Sequence, residues 1–158
     1  MKKVSGGYTL IELLLFMGLM SFMLVFMTDI LTTILDTRRE SESTSAVEQD
    51  GNYLLNRFSY DIAQASSINT PAAAGASSPT LDITINSISN VYGLSNNNVE
   101  LTNNSGTEVL NGFNTTVSGL NFTHIALNTV QLVFTITSKT LRANGPEVRN
   151  YQTTIGIR

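Results

Sequence analysis

The chain has no cysteine among its 158 residues, only one histidine and three prolines, and charged side chains make up just 13% of it. Without cysteine there is no disulfide, no thiolate nucleophile and no lipoprotein anchor. One histidine, His124, leaves nothing from which a zinc site or a Cys-His nucleophile could be assembled. No phosphate loop and no G-x-S-x-G elbow is present. Asp61, Asp82, Glu100 and Glu108 are carboxylates without any spacing that would single them out as calcium ligands. Beyond the N-terminal Lys2-Lys3, the one basic pair is Arg38-Arg39, and acids surround it, so no nucleic-acid footprint stands out. The expectation is a non-enzyme with no cofactor and no metal.

What is present is an apolar run. Residues 8–28 contain one charged side chain, Glu12. As a helix rising about 1.5 Å per residue, these positions span roughly 31 Å, the hydrocarbon thickness of a bilayer. An acid inside such a run costs on the order of 3 kcal/mol at the bilayer centre and less near its end, so it marks a function. Before the run comes Met1-Lys2-Lys3-Val4-Ser5-Gly6-Gly7, short and basic, which keeps the N-terminus cytoplasmic. After it, Thr28-Asp29-Ile30-Leu31-Thr32-Thr33 offers no signal-peptidase site of the A-x-A kind. Met17, Met20, Met23 and Met27 fall on one helical stripe, which reads as adaptable apolar packing and not as soft-metal ligation. Gly18 and Ser21 allow close helix approach, although no G-x-x-x-G motif is formed, and no proline interrupts the run.

Helical periodicity continues past the membrane segment. Ile30, Leu31, Ile34 and Leu35 keep the spacing, residues 36–45 form a polar, charged neck, and Leu54, Phe58 and Ile62 recur at i, i+4, i+8 as one buried face. A helix over residues 8–65 would measure roughly 87 Å, with Gly51 as its weak point. Residues 66–79, with Pro71, Gly75 and Pro79, read as a loop. Beyond them the period changes to two. Leu81-Asp82-Ile83-Thr84-Ile85-Asn86 alternates strictly; further strands are expected at 90–92, 99–102, 108–110, 117–125, 129–137 and 151–157. Asn103-Asn104-Ser105-Gly106 and Asn144-Gly145-Pro146 are the turns. His124 shares a face with Leu120 and Phe122, as a partly buried imidazole at a strand end. Asn103, Asn114 and Asn121 each open an N-x-S/T triplet, a frequent coincidence in so Asn/Thr-rich a chain. The fold expected is α+β: a helix whose second half covers an antiparallel sheet. The expected divisions are 1–7, 8–35, 36–66 and 67–158.

The N-terminal pattern, Gly6-Gly7-Tyr8-Thr9-Leu10-Ile11-Glu12 followed by about twenty apolar residues, resembles the type IV prepilin class of precursors. That resemblance implies cleavage after Gly7 by a prepilin peptidase, with residues 1–7 as leader. Tyr8 becomes the mature, N-methylated terminus and Glu12 the acid that directs assembly. Where the family usually has Phe this chain has Tyr8, and where it often has Lys or Arg this chain has Gly6. Loss of Lys2 and Lys3 would take the formal charge from −3 to −5. In a filament, Glu12 of one chain would meet the Tyr8 amine of a neighbour. Removing one member of such a buried pair costs about 3–5 kcal/mol.

The segment Leu55-Asn56-Arg57-Phe58-Ser59-Tyr60-Asp61-Ile62-Ala63-Gln64-Ala65 is similar to the helix of J-type minor pseudopilins and their minor-pilin relatives. Val117-Ser118-Gly119-Leu120-Asn121-Phe122 and Thr153-Thr154-Ile155-Gly156-Ile157-Arg158 resemble that group too. Together these imply a pilin-like fold and a structural subunit of a type IV pilus or a type II secretion pseudopilus. The implied partners are the prepilin peptidase, other pilin or pseudopilin subunits through the N-terminal helix, the inner-membrane assembly platform and the cytoplasmic membrane. The implied location is a single pass through that membrane with the globular domain outside, and then the filament. The alternative from the residues themselves is a single-pass anchored extracellular binding domain.

Overall fold

The computed structural model describes residues 8–126, 128–142 and 144–157. The expected leader over 1–7, with the Gly7 cleavage position, lies outside the described residues. The described residues form one helix, α1 (Leu10–Gln64), and nine strands: β1 (Ser67–Thr70), β2 (Ser77–Ser78), β3 (Leu81–Ile85), β4 (Ile88–Ser95), β5 (Asn98–Asn103), β6 (Gly106–Val109), β7 (Thr115–Ala126), β8 (Thr129–Ser138) and β9 (Val148–Gly156). It divides into two units, Met1–Arg38 and Arg39–Arg158.

Among the described residues of the first unit, nothing covers the apolar surface of α1. Every large apolar side chain from Leu10 to Leu35 is exposed, none by less than 43%. The helix is long and apolar enough there to cross a membrane. Hydroxyls in this stretch are turned back onto the helix: Ser21 Oγ donates to the Met17 carbonyl and Thr28 Oγ1 to the Leu24 carbonyl, both at 2.9 Å. Such back-bonding satisfies a side-chain hydroxyl within the helix itself.

In the second unit the α+β class is as expected, but the single sheet is two. β1, β3, β4, β5 and β6 form one antiparallel sheet in the order β1-β3-β4-β5-β6, and β2, β7, β8 and β9 form another in the order β2-β7-β8-β9. Leu81, Ile83, Tyr92, Val99 and Leu101 point inward from the first sheet, and Val117, Phe122, Val130, Leu132, Phe134 and Ile136 from the second, all buried. The helix closes this core with Val47, Leu54, Phe58 and Ile62, each fully buried. Phe58 joins the three layers: its ring lies 5.2 Å from Tyr92 and 5.5 Å from Phe122, both tilted as aromatic quadrupoles prefer.

The stretch 66–79 is not all loop. Ser67–Thr70 pairs with β3, and Ser77–Ser78 with β7. These short segments carry no alternating apolar pattern; the partner strand supplies their order. Ser66 N–H donates to the Thr84 carbonyl at 2.8 Å, and the Asn69 amide reaches Asp82 Oδ1 and Thr84 Oγ1. Two of the three hairpins of the first sheet turn on Asn86-Ser87 and Asn96-Asn97, all four at positive φ. That is the two-residue turn whose twist matches the strands, made here with asparagine. In β7 a bulge at Gly119 (φ +63°) shifts the register between Ser118 and Asn121. It lets Val117 and Leu120, which strict alternation would put on opposite faces, both point into the core.

Gly51 is a contact and not a weak point. The helix runs through it unbroken, and Gly51 is buried because the Tyr151 ring of β9 lies against its Cα, where a Cβ would overlap the ring. The Tyr151 hydroxyl then donates to the Val47 carbonyl at 3.0 Å. The neck is also less uniform than its sequence suggests, since Ser43 is fully buried while the residues around it are largely exposed.

Candidate functional site

Two positions singled out by the sequence, Tyr8 and Glu12, lie together at the start of α1; Gly7 is outside the described residues. Tyr8 precedes the helix and is 86% exposed. Thr9 is the N-cap and Glu12 the third helical residue. The Glu12 N–H donates to Thr9 Oγ1 at 3.3 Å, and the Thr9 N–H points back at Glu12 Oε2 at 3.5 Å. This is a capping box, in which two of the N–H groups that every helix start leaves unpaired are met reciprocally by side chains. In the sequence Glu12 reads only as an acid within an apolar run; the Thr9-x-x-Glu12 spacing is the signal that could have found the cap. It gives Glu12 a local role in addition to any role between chains.

The carboxylate is thus held at the positive end of the helix dipole, bonded to Thr9 and otherwise beside Tyr8, Leu13 and Phe16. Tyr8, Glu12, Leu13 and Phe16 line a shallow hollow. One oxygen of Glu12 faces Thr9; the other keeps its acceptor capacity. Chemically, the arrangement offers a fixed negative charge beside an aromatic ring on an otherwise apolar helix surface, which suits a cation delivered from outside the chain. Further along, Asp29 is a second acid flanked by apolar residues, lining another hollow with Phe26, Ile30, Thr33 and Ile34. Its signal was the return of apolar residues at Ile30 and Leu31, immediately beyond it.

The globular unit has its own buried polar centre, and the sequence did not mark it as one. Asp61 sits on the core face of α1 at 7% exposure. Its Oδ2 accepts from the Tyr92 hydroxyl and from Arg57 Nε, each at 2.6 Å. Burial, and then the hydrogen bond to Asp61, hold the Tyr92 proton well above the ordinary phenol range. Arg57 is raised as well: burial opposes its charge, but Asp61 more than offsets this. A carboxylate with two charge-assisted bonds in a dry core ties α1 to β4. Asp50, about three turns earlier on the same helix, accepts from the Gly112 N–H at 2.9 Å and from Thr115 Oγ1, fastening the loop before β7. Both acids hold structure together. Among the described residues no group of three His, Asp or Glu side chains could hold a metal ion.

His124 is half-buried at the end of β7, with Nδ1 3.0 Å from the Pro71 carbonyl. Asp82 accepts from Ser89 Oγ at 2.7 Å, and Glu100 and Glu108 lie on β5 and β6 in the first sheet. Among the described residues the site-bearing features are therefore the helix start and its apolar surface. No family model, curated protein or solved structure matches this chain.

Proposed function

We propose that this chain is a subunit of a type IV pilus or of a secretion pseudopilus, stored in the cytoplasmic membrane and assembled through α1. The observation that carries the reading is an acid held by a capping box at the start of an exposed apolar helix, on a chain whose later helical residues are the core of a β-rich domain. An anchor needs only the apolar length. The acid costs insertion energy that a plain anchor never recovers.

In this reading the prepilin peptidase cleaves after Gly7, Tyr8 becomes the terminal residue, and its amine meets Glu12 of the next chain in the filament. Transfer of the helix from lipid to a bundle of like helices changes its apolar surroundings little, so assembly rests on packing and on that ion pair. The β-domain then lies on the outside.

The test is to shear surface filaments from the native host, or to overproduce the pseudopilus, and to look for this chain in the filament fraction. Presence there is the expected result, and Gly7→Leu should remove it by blocking processing. Recovery from membranes alone, with no filament in which it is incorporated, would favour an anchored binding domain.

A further inference from the structure

We propose that the globular unit pairs with a second copy of itself edge to edge, through the outer side of β9. The proposal is independent of the filament reading and asks nothing of the first unit. In the ladder between β8 and β9 the Ser138 N–H donates to the Glu147 carbonyl at 2.8 Å and the Ile157 N–H to the Asn128 carbonyl at 2.9 Å, one bond at each end. The register between those bonds is unbroken, so the odd-numbered residues of β9 face β8 with their backbone groups and the even-numbered ones face away. The N–H and C=O groups of Val148, Asn150, Gln152, Thr154 and Gly156 therefore point out of the free edge of the sheet. All five residues are exposed, and among the described residues nothing bonds to these backbone groups.

The other three sheet edges are blunted, and this one is not. β2 has two residues and β6 four. β1 also has four; its register slips between Ile68 and Thr70, and Pro71 follows. Short strands, bulges and prolines are the devices by which a sheet refuses a further strand. β9 has nine residues, with no bulge, no proline, no lysine and no acid. Its one charged side chain, Arg149, is engaged within its own chain by Glu48 at 2.6 Å and Glu147 at 3.2 Å.

What fits such an edge is an extended backbone with its own row of unpaired groups, and β9 of a second copy is such a strand. Antiparallel pairing about a two-fold axis at Gln152 sets Gln152 against Gln152, Asn150 against Thr154 and Val148 against Gly156. All of these are outward residues, so each opposed pair closes two backbone bonds. None of the side chains at these positions is charged. The axis places each Arg149 opposite Ile155 of the second copy, roughly 20 Å from the other Arg149 at about 3.3 Å per residue. That exceeds two Debye lengths of about 8 Å at physiological salt, so like charge does not oppose the pair. The two sheets then continue as one, in the order β2-β7-β8-β9-β9-β8-β7-β2.

The chain has no cysteine, so Gln152→Cys introduces a single thiol at the axis. Directly opposed residues of a hydrogen-bonded pair lie about 5.5 Å apart at Cα, within disulfide reach. Under mild oxidation of the full chain in detergent micelles, Gln152→Cys should give a disulfide-linked dimer. Val148→Cys, with its two copies roughly 26 Å apart, and Thr154→Cys should stay unlinked. Thr154→Pro removes an outward N–H and no bond to β8, so in the Gln152→Cys background it should cut the dimer to the level of Val148→Cys, with circular dichroism unchanged. No linkage at Gln152→Cys overturns the proposal and leaves the filament reading untouched. Equal linkage at all three cysteine positions overturns it as well, because thiols brought together by association through α1 would collide without register. Linkage of Gln152→Cys to a different protein in native membranes, with no homodimer, would assign the edge to that protein and also overturns it.

Discussion

Gly51 and Tyr151 set a test in which helix propensity and packing have opposite signs. Replacing a helical glycine by alanine ordinarily stabilises by about 1 kcal/mol. Here the added Cβ enters the Tyr151 ring, so Gly51→Ala should destabilise the globular unit in urea titration. In a Tyr151→Ser background the same change should become stabilising, and a simple sum of the two single effects would contradict the contact. Tyr92 makes a second residue-scale prediction. Tyr92→Phe removes a bond to a buried carboxylate and should cost about 1.5–3 kcal/mol. Its pH dependence has a definite sign. Because burial and Asp61 raise the phenol in the folded protein, its contribution is complete below about pH 10, the unfolded value, and is lost as pH rises through the higher folded value. Tyr92→Phe should therefore flatten the alkaline fall in stability seen by circular dichroism; Tyr151, raised by burial, accounts for part of what remains. Glu12→Gln separates the two roles of Glu12. Glutamine still closes the capping box but has no charge, so the helix should be unaltered while incorporation into filaments is lost. Normal incorporation of Glu12→Gln would reduce Glu12 to a cap.

Among the elements, what the sequence showed and what it hid have different physical origins. The buried face at Leu54, Phe58 and Ile62 was legible because helical spacing and apolar chemistry agree there. β3 and β8 were legible because each alternates over its whole length with one face in the core. β1 and β2 were not, since an edge strand written Ser-Ile-Asn-Thr or Ser-Ser owes its conformation to the neighbour it pairs with. The division into two sheets was equally hidden: it depends on which strands pair across long separations, as β2 with β7 does, and local pattern has no view of that. Gly51 misled for a related reason, because the ring that fills its gap comes from one hundred residues later. At this scale Phe58 carries the most. It contacts aromatic rings of both sheets, so Phe58→Ala should cost about 3–5 kcal/mol by urea unfolding and loosen both sheets together. A loss confined to one sheet by hydrogen exchange would show that the layers are held independently.

For the whole molecule, the two units differ in what they cover. The described residues up to Arg38 expose an apolar helix surface long enough to cross a membrane, and those from Arg39 onward bury their own core. The candidate site at Tyr8 and Glu12 was legible from motif and length together, whereas the Asp61 centre was not, because its meaning depends on Tyr92 arriving from another element. The filament reading asks that one specific covalent event has taken place before assembly: removal of the residues through Gly7, so that a new ammonium group stands one helical turn from Glu12. Intact-mass and N-terminal peptide measurement of the protein from its native membrane tests this most directly. The reading predicts a chain that begins at Tyr8, with or without a methyl group on its amine; a chain that still carries Lys2 and Lys3 contradicts it.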